Sequence, residues 1–264
     1  MSDSASASDE CGHFICAPIR QGLRPQGQAS LEKRLKGACP FLVLAGFILF
    51  KVQRSDIRIM KALEERIRQE GQILSDTVLK VDSFLNHQVD TALALEIGKE
   101  FARLFGNAPI TKVLTIEASG IQFAMATAIA LGVPFIYAKK KKAITLNEQV
   151  YFAEVHSFTR QETYQVSISQ KYLDASDHVL IVDDFLATGA ALVGLTDIVK
   201  EAGAELAGVG CVIEKSFQEG RGLLEQRGIA VRSLARIASM APGEVHFIEE
   251  AGMVIPPVKE NVGC

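Results

Sequence analysis

The chain has no excess of basic residues: 28 Lys and Arg stand against 31 Asp and Glu, a formal net charge of −3. That balance argues against general nucleic-acid binding. It also has no disulfide framework. Its five cysteines, Cys11, Cys16, Cys39, Cys211 and Cys264, are odd in number and irregular in spacing, and only Cys211 lies in patterned sequence. This usage suits a reducing, cytoplasmic setting. One His and two Cys in CGHFIC (11–16) match no zinc spacing. There is no G-x-x-x-x-G-K-[ST] nucleotide loop and no internal repeat. The apolar run PFLVLAGFILF (40–50) is about half of the roughly 20 residues a bilayer span requires. It starts too late for a signal peptide, and no small-residue cleavage site follows it. Membrane attachment is therefore not expected.

What is present divides near Met60. Residues 1–59 open on MSDSASASDE and continue without sustained periodicity, with eight Lys and Arg against five Asp and Glu. They are expected to form a poorly ordered, dispensable leader, foreign to the native protein if translation starts at Met60; 60–250 form the working domain and 251–264 a C-terminal tail. The domain is acidic, 20 against 26 outside the leader. The 264 residues, 48% hydrophobic and 22% charged, have the composition of a globular chain with a full core.

From Met60 the pattern alternates helices with apolar strands. MKALEERIRQEGQIL (60–74) reads as a helix, with Glu64 and Arg68 four apart on its surface. Residues 91–105 read as a helix capped by Thr91, 111–117 as a strand, 119–131 as an Ala-rich helix and 133–138 as a strand. Residues 178–184 read as a buried strand, 191–203 as a helix, 205–215 as a strand, 217–227 as a helix, and 231–237 as the closing strand. The alternation breaks over 139–177, which predicts an inserted hairpin or flexible flap. Strands separated by such helices predict an α/β fold: a parallel twisted sheet with helices on both faces.

In such a sheet ligands sit beyond the carboxyl ends of the strands. Glu117, Asp183, Asp184 and Lys215 all end strands and are expected to face one cleft. VLIVDDFLATGAA (179–191) sets two adjacent acids just before a Thr-Gly turn into a helix. The turn Ala187, Thr188, Gly189, Ala190 and Ala191 offers backbone N–H groups and a helix N-terminus to a phosphate monoester. Gly189 permits close backbone approach. Asp183 and Asp184 are then explained by sugar hydroxyls, or by magnesium held on those hydroxyls. A ribose 5-phosphate has both halves.

VLIVDDFLATGAA resembles the phosphoribosyl-diphosphate signature of the type I phosphoribosyltransferases. The whole of 60–250 resembles the bacterial xanthine phosphoribosyltransferases within that family, through LSDTVLKVDSFLNHQVD (74–90), TIEASGI (115–121), VIEKSFQEGRG (212–222) and SLARI (233–237). The resemblance implies transfer of a phosphoribosyl group to N9 of xanthine, giving xanthosine 5′-monophosphate and pyrophosphate in purine salvage. It implies a small N-terminal hood, a homodimer and Mg2+ carried on the phosphoribosyl diphosphate, with no metal ligands of the protein's own. By position, 187–191 would bind the 5-phosphate and Asp183 and Asp184 the ribose. Glu117 through Ala118, Ser119 and Gly120 would form the pyrophosphate loop, and Leu79, Asn86 and Lys215 would meet the base. Among the lysines of 139–142, Lys139 is named for the pyrophosphate.

Xanthine has two carbonyls and an acidic ring proton, which suit a lysine ammonium; adenine would set its amine against that donor. The acids and Glu117 are the groups near the reacting carbon, and the histidines His87, His156, His178 and His246 are expected to be structural. Two alternatives stand beside the transferase. One is a phosphoribosyl-diphosphate sensor that regulates transcription without catalysis, for which no helix-turn-helix is visible. The other is a guanine-preferring enzyme.

Overall fold

The structure is a computed structural model and describes residues 61–141, 149–157 and 162–248, all within the compact unit Val52–Cys264. The leader, the tail and part of the expected flap lie outside these residues. Helix α1 (residues 61–70) is followed by a small hairpin, β1 (Gln72–Ile73) and β2 (Leu79–Lys80), and a loop to Asp90. Then come α2 (Thr91–Phe105), β3 (Lys112–Ile116), α3 (Ile121–Leu131), β4 (Phe135–Lys141), β5 (Val150–Ser157) and β6 (Glu162–Ser169). The chain continues through β7 (His178–Leu186), α4 (Ala190–Glu201), β8 (Glu205–Lys215), α5 (Gly220–Gln226), β9 (Val231–Ala241) and β10 (Glu244–Phe247).

The expected α/β sheet is present, in the order β10-β9-β8-β7-β3-β4-β6-β5. Its five central strands, β9, β8, β7, β3 and β4, run parallel. The hairpin β5–β6 adds to it antiparallel on β4, and β10 turns back antiparallel on β9. Helices cover both faces. Leu63, Ile67, Ile97, Phe101 and Phe123 pack on one side with Phe84 and Leu85 of the hood loop. Leu192, Leu195, Ile198, Val199 and Leu224 pack on the other.

Several local expectations change. The first helix stops at residue 70, and Gln72 and Ile73 turn into the hood hairpin. The cap of α2 is Asp90, whose carboxylate accepts from the Leu93 N–H, and Thr91 is already the first helical residue. Strand β10, absent from the sequence reading, forms because β9 runs four residues further, to Ala241, before the chain reverses at Gly243 (φ 80°). Gly98 allows α2 to cross α3 closely, since a Cβ there would lie 2.4 Å from the Ala126 carbonyl carbon. That contact seats α3, which begins one residue after the Glu117–Gly120 loop.

After β3 the chain first places β4 on one side, then returns to place β7 on the other. The crevice between β3 and β7 is thus the switch point of the sheet, where open α/β folds bind ligands.

Candidate active site

Because β3, β7 and β8 are parallel neighbours, Glu117, the acid pair and Lys215 emerge at the same end of the sheet. Asp183 and Asp184 are buried, 5% and 7% exposed. Asp183 accepts the Asp184 N–H at 3.0 Å. Burial pushes the Asp183 carboxyl well above the usual carboxylate range, and the neighbouring Asp184 pushes it further. Asp184 is also raised by burial, while the Ser119 hydroxyl, bonded to it, pulls it back. The two acids thus sit where a cationic or hydroxyl-rich group would relieve them.

The loop after β3 lies directly on this pair. A Cβ on Gly120 would fall 2.5 Å from Asp183 Oδ1 and 2.1 Å from Thr115 Oγ1, so only glycine fits. Thr115 Oγ1 is itself buried without a hydrogen-bond partner. The Glu117–Ala118 peptide is cis, Ala118 is exposed, and the Glu117 carboxylate accepts the backbone N–H of Lys140. In the lysine run, Lys139 is exposed, while the charge of Lys140 bears on Asp183 and its Nζ stands 5.2 Å from the Tyr164 ring.

Across the crevice, Ala187 and Thr188 lead to Gly189 (φ 81°), the N-cap of α4. No side chain caps that helix, so the amides of its first turn, including Ala190 and Ala191, are left for an anion. The left-handed φ explains why glycine stands here.

Lys215, at the end of β8, donates to the Thr77 carbonyl of the hood at 2.6 Å. It also lies 5.4 Å from the Phe185 ring centroid. Burial lowers its pKa, and Asp184 opposes that. Asn86, in the hood loop, has a buried Oδ1 without a partner, a free acceptor. Leu79 is buried in the core, so it would offer a ligand backbone and apolar surface rather than an exposed side chain. Of the histidines, His178 pairs with Glu205 and His246 with Glu244, and His156 bonds Thr163.

Sequence reasoning missed four participants. Phe185 lies by the lysine, while Phe217, two residues beyond Lys215 in sequence, is exposed. Gln122 donates to the Leu85 carbonyl at 2.7 Å, tying the start of α3 to the hood beside Asn86. The third and fourth are Glu214 and Arg221. Arg221 grips both carboxylate oxygens of buried Glu214, its Nε at 2.8 Å. Burial alone would raise Glu214, but hydrogen bonds from Arg221, Ser216 and Ser233 outweigh it and hold the carboxyl at about 2. The stability this contributes is complete above the unfolded value of 4.5 and is lost as pH falls towards about 2. A Glu214→Gln variant is therefore expected to melt below the native chain at pH 7, with the gap closing between pH 4.5 and 2. Thermal melts across that range check it; a gap independent of pH would remove the ionised pair from the account.

Among the described residues no group of three or more His, Cys, Asp or Glu is placed to hold a metal, and no helix is long and apolar enough to cross a membrane.

Residues 86–239 match the phosphoribosyl transferase domain family. The chain is 72% identical over 191 residues to a xanthine phosphoribosyltransferase of Brevibacillus brevis, covering 72% of this chain and 97% of that protein. It is 54% identical over 191 residues to a xanthine phosphoribosyltransferase of Latilactobacillus sakei, covering 72% and 98%. Among solved structures, adenine phosphoribosyltransferase from Saccharomyces cerevisiae superposes with a TM-score of 0.57 at 23% identity, covering 67% of this chain and 99% of that one. At that identity the likeness speaks for the fold alone.

Proposed function

The chain belongs to the phosphoribosyltransferase family, and from that premise we propose that it transfers the 5-phosphoribosyl group of phosphoribosyl diphosphate to N9 of xanthine. The products are xanthosine 5′-monophosphate and pyrophosphate, a step of purine salvage. The observation that carries the reading is an uncapped helix start that follows a buried acid pair on β7, beside the switch point of the sheet, in a chain 72% identical to a xanthine phosphoribosyltransferase.

In this reading the amides of Thr188, Gly189, Ala190 and Ala191, with Ala187 leading the turn, hold the 5-phosphate. Asp183 and Asp184 accept hydrogen bonds from the ribose hydroxyls. Ala118, Ser119 and Gly120 turn their backbone towards the diphosphate, with Lys139 and Lys140 on the neighbouring strand supplying positive charge. The buried carboxylate pair suits magnesium that arrives on the substrate. When bound, it neutralises charge on the diphosphate oxygens. As the C1–oxygen bond to diphosphate breaks, the sugar takes oxocarbenium character, and the acid pair stabilises the cation from below. N9 then bonds to C1 with inversion and passes its proton to solvent; the bond from the Lys140 N–H to the Glu117 carboxylate supports a place for Glu117 near the departing diphosphate. No side chain acts as nucleophile, and the work is positioning and charge stabilisation.

The base lies between Lys215 and Asn86. Lys215 donates to a xanthine carbonyl, and the free Asn86 Oδ1 accepts from a ring N–H. Leu79 contributes hood backbone. In this reading residues 60–250 form the enzyme, with 1–59 a leader and 251–264 a tail. The exposed Met125 and Ile129, one turn apart on α3, supply an apolar face to a second copy in a cytoplasmic homodimer.

The test is a panel of bases. With magnesium and phosphoribosyl diphosphate, xanthine is expected to give nucleotide with the highest kcat/KM, guanine less, and adenine none. Guanine ahead of xanthine would reassign the substrate. Retained phosphoribosyl-diphosphate binding with no product from any base would make the chain a sensor.

A further inference from the structure

Gly220 is not part of the phosphate turn, yet its backbone touches it from behind. Its N–H donates to the Ala187 carbonyl at 3.1 Å. A Cβ on Gly220 would meet Ala187 O at 2.3 Å and Gly189 N at 2.8 Å, and a Cβ on Gly189 would meet Gly220 Cα at 2.8 Å. The contact is backbone against backbone from both sides, so no side-chain rotation relieves it.

This contact has a directional consequence. The Ala187–Thr188 peptide is planar and trans, so its N–H points opposite to its C=O. With the Ala187 carbonyl held on Gly220, the Thr188 N–H is aimed away from α5. That is the first amide available to a phosphate at the start of α4.

What keeps α5 in place is one residue further on. Arg221 forks onto Glu214 through Nε and Nη2 and reaches Glu225 with Nη1 at 2.9 Å. Glu214 stands opposite Leu186 in the β7–β8 ladder, the residue just before the turn. Ser216 and Arg236 complete the carboxylate's shell. The fork therefore anchors α5 to the strand position beside the turn, and a bulkier residue at 220 displaces the turn rather than the helix.

We infer that Gly220 is a positioning residue for the sugar-phosphate site: with the Arg221–Glu214 fork behind it, it holds the Ala187–Gly189 backbone in its anion-binding orientation. The inference rests on the assignment of 187–191 to the 5-phosphate. Gly222, two residues on, provides the control, because a Cβ there meets nothing within 4 Å.

The experiment uses the full chain, with ribose 5-phosphate as the binding probe and steady-state kinetics for both substrates. For Gly220→Ala the Kd of ribose 5-phosphate and the KM for phosphoribosyl diphosphate are expected to rise about tenfold or more, since a 1 Å misplacement can cost about 10²-fold. The KM for xanthine stays within about twofold, as do all parameters of Gly222→Ala, the scale of a neutral surface change. Arg221→Gln gives the same split with a smaller rise, and decides the matter should Gly220→Ala not fold. Native-like ribose 5-phosphate binding in Gly220→Ala, or an equal rise in both KM values, overturns the inference. If the native chain binds neither ribose 5-phosphate nor phosphoribosyl diphosphate, the site assignment fails first and takes the inference with it.

Discussion

An Asp183→Asn enzyme is expected to melt no lower than the native chain at pH 7 while turning over roughly 10²–10³ times more slowly, the range for losing one preorganised electrostatic group. Asparagine keeps the size of the side chain and can still accept the Asp184 N–H that now reaches Asp183 Oδ1. Its amide N–H can donate to Asp184. What disappears is a charge that burial and Asp184 both oppose. An acid whose folded pKa is raised costs the folded state stability above its unfolded value and nothing below it. Any gain in melting temperature should therefore be present at neutral pH and vanish as pH falls below the aspartate reference of 3.8. Turnover moves the other way, because the sugar loses a negative charge where its positive charge develops. Melting curves and single-turnover rates on one preparation test both halves. Full activity in a stabilised variant would remove Asp183 from the chemistry.

The second large effect falls on the base. Lys215→Ala is expected to raise the KM for xanthine roughly 10- to 100-fold, the scale of a lost hydrogen bond from a charged group. The Kd for phosphoribosyl diphosphate should hold within about twofold. The lysine also donates to Thr77 in the hood and lies by Phe185, so its loss frees the hood as well as the carbonyl. Lys215→Met separates the packing on Phe185 from both donations, since it keeps an apolar stem there without the ammonium. A methionine variant with native xanthine KM, or an equal loss for both substrates, would place the lysine outside base recognition.

Much of this was legible in linear sequence because the information is local. Strand β8 runs from Glu205 to Lys215 as its apolar pattern predicts, and the order of acids, turn and helix in VDDFLATGAA is a contiguous signal. The hood was not legible as a hairpin: the helical period of α1 continues through Gln72 and Ile73, and only their pairing with Leu79 and Lys80 makes them strand. Asp90 and Thr91 both suit an N-cap, and the bond from the Leu93 N–H decides for Asp90. The unread site residues share a cause. Gln122 reaches a hood carbonyl 37 positions away, and Gly220 meets Gly189 across the turn. Neither contact leaves a periodic or compositional trace. The Lys215–Phe185 approach depends on the alignment of β7 with β8, which places Phe185 opposite Ile213, two residues before the lysine.

A crystal structure of the chain with magnesium and phosphoribosyl diphosphate tests the central claim most directly. The account predicts the 5-phosphate within hydrogen-bond distance of the amides of 188–191, and the ribose hydroxyls on Asp183 and Asp184. A 5-phosphate seated elsewhere, with the first turn of α4 still in water, would contradict it.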